Sequence, residues 1–136
     1  PLYLPDPKKV VLVKEEPRAA VIAALDTPLG PISVANTHLS FVPGWNRRQL
    51  RRLVRDLRGV PGPRILTGDL NLTPEAVARS TGFRSLASAA TFPADAPTKQ
   101  LDHILTDDAA LRAHFADAPA VELSDHRPLV VDIALG

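Results

Sequence analysis

Between two short apolar runs the chain changes period, and that change limits what it can fold into. Residues 32–38 and 64–67 read as strands. Between them, residues 45–58 place Leu50, Leu53, Val54 and Leu57 on one helical face. Gly59 and the Pro61-Gly62-Pro63 run end that helix. Strand, helix and strand in succession form the unit from which layered α/β sheets are built. Only 4% of the residues are aromatic while 45% are apolar, so Ala, Val, Leu and Ile must fill the core, and 136 residues suffice to build one.

The rest of the chain extends this alternation. Residues 10–14 and 19–25 are further apolar runs with strand character. The turn-rich stretch 26–31 predicts a hairpin between 19–25 and 32–38. Thr73-Pro74-Glu75 has helix-start chemistry, with Pro at the first helical position, so a short helix is expected to about Arg79. Residues 82–100 are irregular. Residues 100–106 read as a strand, 107–115 as a helical turn or two, and 128–134 as the last strand. The opening residues 1–7 carry no initiator Met and no helix start, the pattern expected of a piece of something longer. The whole is expected to be a single partial domain over residues 1–136.

Composition removes several function classes. Charges nearly balance, at +1, so no global field recruits nucleic acid or a membrane. The absence of cysteine excludes a disulfide scaffold and a thiolate zinc site. No stretch approaches the length of a membrane span, and the start has no signal-peptide pattern.

Polar stretches stand at the ends of the expected strands: Asn36-Thr37-His38, Gly68-Asp69-Leu70-Asn71, Leu101-Asp102-His103-Ile104 and Ser124-Asp125-His126. Each alone has an ordinary reading, since Gly and Asn favour turns and a strand-end His is commonly a satisfied surface residue. Together they fall where sites concentrate, at the junction of strands and loops. Asp69 and Asp125 are hard oxygen donors suited to Mg²⁺ or Mn²⁺. His38 and His126 can donate to phosphate oxygens or act as acid or base. Asn71 offers an amide to fix a phosphate or a nucleophile, and Asp102 can orient a histidine. These are the parts for metal-assisted hydrolysis of a phosphate ester. A serine triad built from the neighbours Ser124, Asp125 and His126 is geometrically excluded, and no GxxxxGK[ST] phosphate loop is present.

NTHLS at 36–40, GDLN at 68–71, LDHIL at 101–105 and SDHRPL at 124–129, with the helix segment RRQLRRLV at 47–54, resemble the endonuclease/exonuclease/phosphatase (DNase I-like) superfamily in order and spacing. The resemblance runs from about Arg18 onward. It implies the second half of a four-layer α/β sandwich, a mixed β-sheet with helices on its outer face. It also implies a divalent-metal-dependent phosphoesterase acting on nucleic acid, phospholipid or a small phosphorylated molecule. Carried over by position, His38 contacts the scissile phosphate, and Asp69 aligns the attacking water or ligates metal. Asn71 fixes phosphate or nucleophile, Asp125 joins the metal site, and His126 contacts phosphate as acid or base, held by Asp102. His103 falls on the opposite strand face with no catalytic role expected. The family's first half supplies an Asn and the principal metal-ligand Glu, for which Glu15 and Glu16 are no substitutes. The resemblance therefore implies weak activity for this half alone, with an apolar sheet face that meets the missing half or a second copy.

Outside the motifs, Arg47, Arg51, Arg55 and Arg58 form a stripe that reads first as a solvated helix face and second as a phosphate-contacting surface. Phe41 and Trp45 flank the loop after His38, either touching substrate or covering core. Thr91-Phe92-Pro93 resembles a loop near the substrate cleft of some family members, and His114 is expected to be exposed on a helix.

Overall fold

The computed structural model describes residues 17–136. The apolar run at 10–14 and the pair Glu15 and Glu16 lie outside the described residues. In chain order the elements are β1 (Ala20–Thr27), β2 (Gly30–His38), α1 (Trp45–Arg58), β3 (Arg64–Asp69), α2 (Pro74–Thr81), β4 (Arg84–Ser85), β5 (Asp102–Thr106), β6 (Leu111–Asp117) and β7 (Val130–Leu135).

Strands one to five form a mixed sheet in the order β1-β2-β3-β5-β4, and β6 pairs with β7 in a separate two-stranded sheet. The expected hairpin joins β1 and β2. Thr27 Oγ1 donates to Gly30 O at 2.7 Å and accepts from Leu29 N at 3.1 Å, while Gly30 takes φ 95° to close the turn. β2 and β3 run parallel, as the intervening helix requires, and β3 pairs antiparallel with β5.

Alternation along the strands divides the core into two layers. Ala35, Leu66 and Leu105 turn toward Leu50, Leu53, Val54 and Leu57 of α1 and toward Ala76 and Val77 of α2. Ile32 and Ile65 face the other way and pack with Leu111 and Ile133 of the β6–β7 pair. Both helices thus cover one face of the mixed sheet, in keeping with the α/β layers read from the sequence.

The structure corrects one expected element. The sequence predicts a helical turn or two over residues 107–115, but Leu111–Asp117 is a strand. Asp108 Oδ1 accepts from Ala110 N at 2.7 Å and Leu111 N at 3.3 Å, which closes a turn, and the chain then leaves it extended to pair with β7. His114 is exposed as expected, but on this strand, at a register shift between Ala113 and Phe115. The stretch read as irregular holds the short β4 and an isolated bridge between Phe92 and Lys99. Among the described residues no helix is long and apolar enough to cross a membrane.

Candidate active site at the rim of the central strands

Register brings three of the candidate residues side by side. His38 at the end of β2 pairs with Asp69 at the end of β3, and Asp69 pairs with Asp102 at the start of β5. Neighbouring strands lie about 4.8 Å apart, so the three side chains stand in a row on one sheet face. That face is opposite the helices, since Leu66 and Leu105 alternate with these positions and point to α1.

The chain leaves β3 through a turn that no other residue pattern would make easily. Gly68 has φ 128°, and a Cβ placed there would lie 1.8 Å from the carbonyl oxygen of Thr37. Asn71 sits at φ 49°, in the left-handed region that Asn tolerates. Its N–H donates to Asp69 Oδ1 at 2.8 Å and its Nδ2 donates to Leu39 O at 3.0 Å. Leu70 and Leu72 are buried on either side and anchor the turn in the core. Asn71 Nδ2 also donates to Asp69 Oδ2 at 3.5 Å, so both carboxylate oxygens are held by Asn71, Oδ1 tightly and Oδ2 loosely, and Oδ2 faces the site.

That second oxygen lies between two imidazoles. His38 Nε2 is 3.4 Å from Asp69 Oδ2, and His126 Nε2 is 3.8 Å from the same oxygen. The other ring nitrogen of His126, Nδ1, is 2.7 Å from Asp102 Oδ2. Burial pushes the Asp69 carboxyl above its ordinary range; the Asn71 N–H opposes this, the Asp102 charge adds to it, and the His38 and His126 rings oppose it. Desolvation alone would lower the His126 imidazole. The Asp102 hydrogen bond and charge, with the charges of Asp69 and Asp125, outweigh it and leave the group raised. The site thus joins a carboxyl and an imidazole that both hold a proton more firmly than usual.

The Thr91-Phe92-Pro93 loop singled out in the sequence holds His126 in place. The Phe92 ring packs against the His126 ring, with centroids 4.9 Å apart at 46°. Arg127 N donates to Thr91 O at 2.8 Å, Arg127 Nε to Ala94 O at 2.7 Å, and Ala94 N to Asp125 O at 2.8 Å. Thr91 is wholly buried, and its Oγ1 accepts from the main-chain N–H groups of Leu101 and Asp102 at 3.4 Å each. The Thr91-Phe92-Pro93 segment therefore ties the His126 loop to the start of β5.

Asp125 is placed differently. Its side chain is exposed and accepts from Ser124 Oγ at 3.3 Å. It does not belong to the group formed by Asp69, Asp102 and His126, whose ligand atoms all lie within 4.8 Å of one another and could hold a cation. His103 lies on the helix face of β5, buried, with Nε2 2.9 Å from Leu72 O; burial lowers its pKa, so the neutral ring donates to that carbonyl.

Two polar residues of α1, the buried Asn46 and the half-buried Gln49, support the site through contacts that the sequence does not reveal. Asn46 Nδ2 donates to Asn71 O at 3.0 Å, and Gln49 Oε1 accepts from Ser40 N at 2.9 Å. Both come from the first turns of α1, so the helix braces the loops that carry Asn71 and His38. Phe41, by contrast, is 68% exposed and covers no core.

The sequence matches the description "Endonuclease/Exonuclease/phosphatase family" over residues 5–126. Among curated proteins none matches. Among solved structures, a humanized Danio rerio TDP2 carrying 14 mutations is 18% identical with a TM-score of 0.70, covering 86% of this chain and 61% of that one. The human Nocturnin catalytic domain with bound sulfate is 26% identical, TM-score 0.63, covering 88% and 53%. A Bacteroides thetaiotaomicron mannosyl-6-phosphatase is 19% identical, TM-score 0.57, covering 77% and 52%. The chain spans between 52% and 61% of the length of these structures. At 18% and 19% identity the first and third speak to the fold alone.

Proposed function

Because the chain belongs to the Endonuclease/Exonuclease/phosphatase family, we propose that it carries the site of a divalent-metal-dependent hydrolase of phosphate esters. The observation that supports this reading most is the shared Asp69 Oδ2, faced by His38 Nε2 at 3.4 Å and by the Asp102-bound His126 at 3.8 Å.

The donors fit a hard cation in part. Mg²⁺ and Mn²⁺ are commonly held by one or two carboxylates, with waters and phosphate oxygens completing the shell. Asp69 Oδ2 and the exposed Asp125 carboxylate are such donors, whereas Asp102 is engaged with His126. A bound ion would supply positive charge to the phosphoryl group and the leaving oxygen. A further carboxylate from the remainder of a sandwich of the neighbours' length would complete its coordination.

The chain's own residues account for the remaining chemistry. Asp69, held through Asn71, orients the attacking water and accepts its proton as the oxygen–phosphorus bond forms. The raised carboxyl suits this, because a base works best when its pKa lies nearer the working pH. His126, whose imidazole Asp102 holds above its ordinary range, donates to a phosphoryl oxygen. The ring of His38, with its side chain 59% exposed, is free to do the same from the other side. The ester bond on the far side of phosphorus breaks, the leaving oxygen takes up a proton from solvent water, and Asp69 returns its own proton to solvent.

A panel of phosphate mono- and diesters with Mg²⁺ or Mn²⁺ tests this on the longest polypeptide that contains the chain. Hydrolysis that falls at least a hundredfold in both Asp69→Ala and His126→Ala is the expected outcome, since each general acid–base contact contributes on the order of 10²–10⁴. Turnover that survives both substitutions would overturn the assignment.

A further inference from the structure

On the helix side of the sheet, away from the row of His38, Asp69 and Asp102, a groove of about 1010 Å³ runs between α1 and the β1–β2 hairpin. Arg48, Arg51, Arg52 and Arg55 line it from α1, with Trp45 and Gln49 at one end. The arginines follow i, i+3, i+4, i+7 spacing, which sets them along one stripe of the helix. Among the lining residues the acid is Asp56, whose oxygens are 3.9 Å from Arg52 Nε and 3.8 Å from Arg55 Nε. Among the described residues that line the groove, one carboxylate faces these four guanidiniums, so its charge is mainly positive. The chain's overall charge of +1 hides this, because the positive charge is local.

The stripe extends over roughly 10 Å of helix at 1.5 Å per residue, long enough to meet successive phosphates of one strand. Trp45 adds an aromatic surface, already faced by Arg48 at 5.5 Å from the ring centroid. A cationic groove with an aromatic platform is the combination that holds single strands without reading sequence. The groove also ends near the proposed site. Gln49 and Leu39 both line it; Gln49 holds Ser40 N, and Leu39 N is bound to Asp69 O at 2.9 Å.

We propose that this groove binds single-stranded nucleic acid, with phosphates on Arg48, Arg51, Arg52 and Arg55 and a base on Trp45, and delivers the strand to the rim that carries His38. As a statement of substrate class it rests on the phosphoesterase reading; as a binding site it stands by itself. A concave groove with an evenly spaced stripe suits a flexible strand better than a flat anionic membrane.

Trp45 is the chain's single tryptophan, so its fluorescence reports on the groove directly. The protein is titrated with a short oligothymidylate in EDTA, which removes catalysis from the measurement. Quenching is expected to saturate, with affinity falling as salt rises. Replacing Arg51 and Arg55 together by Gln should lower the slope of log affinity against log salt by about 1.4, at ~0.7 per phosphate contact on a single strand. Asp69→Asn should bind as the parent does, which separates this proposal from the catalytic one. Anisotropy of a labelled strand gives a second reading of the same constants, and circular dichroism checks that the variant folds. The proposal fails if binding is absent, if the double variant keeps the parent slope, or if polyglutamate or anionic vesicles of equal charge bind as tightly.

Discussion

His126 shows how one contact sets the charge of a site. Its Nδ1 lies 2.7 Å from Asp102, and the raised imidazole depends on that partner. Asp102→Asn should therefore lower the His126 pKa, read from its ring resonances in an NMR titration, and an unchanged midpoint would break the proposed pairing. The sign for stability follows. A histidine raised in the folded state adds stability that is complete below its unfolded value and is lost as pH rises through the folded one. In Asp102→Asn the difference in stability from the parent should accordingly be largest on the acid side and shrink as pH rises, measured by urea unfolding at several pH values. Gly68 makes a second residue-scale case. With a Cβ facing the Thr37 carbonyl at 1.8 Å and φ at 128°, Gly68→Ala should cost at least ~2 kcal/mol, at the upper part of the range for a strained backbone position, and displace Asp69. Much of this was legible beforehand, because Gly and Asn announce turns that other residues avoid. The bonds made by Asn46 and Gln49 were not legible, because their partners lie 25 and 9 residues away and nothing local marks the pairing.

Among the elements, α1 was the most readable, since Leu50, Leu53, Val54 and Leu57 repeat at helical spacing and all are buried. Its importance to the site was not, because the bracing of Asn71 and Ser40 depends on tertiary contact. Leu50 is fully buried between the helix and the sheet. Leu50→Ala is expected to cost roughly 2–5 kcal/mol in denaturant unfolding, whereas Val21→Ala, at 69% exposure on β1, should change little. Equal costs at the two positions would contradict the layering described here. β6 shows why one element was misread. Ala109, Ala110 and Ala113 favour a helix locally, and the Asp108 turn resembles a helix start. Pairing with β7 overrides that preference, and sequence alone does not reveal the partner. The two-residue β4 is too short to leave any periodic signal.

At the scale of the molecule, apolar surface remains where a compact chain would hide it. Val21 is 69% exposed, Leu25 47%, Phe115 52% and Leu135 57%. Exposed apolar area of this kind drives association, so sedimentation should show mass rising with concentration, and a monomer at all concentrations would count against it. The family and the layered fold were readable from four short motifs. The convergence of their side chains needed coordinates, because His38 and His126 are far apart in sequence and both face Asp69 Oδ2. That convergence carries the whole account. It is tested most directly by comparing the imidazole ring spectra of the parent chain and Asp69→Asn. The account expects the ring resonances of both His38 and His126 to shift together when that single carboxylate is neutralised. If either ring is left unmoved, the two histidines do not share Asp69, and the site described here does not exist.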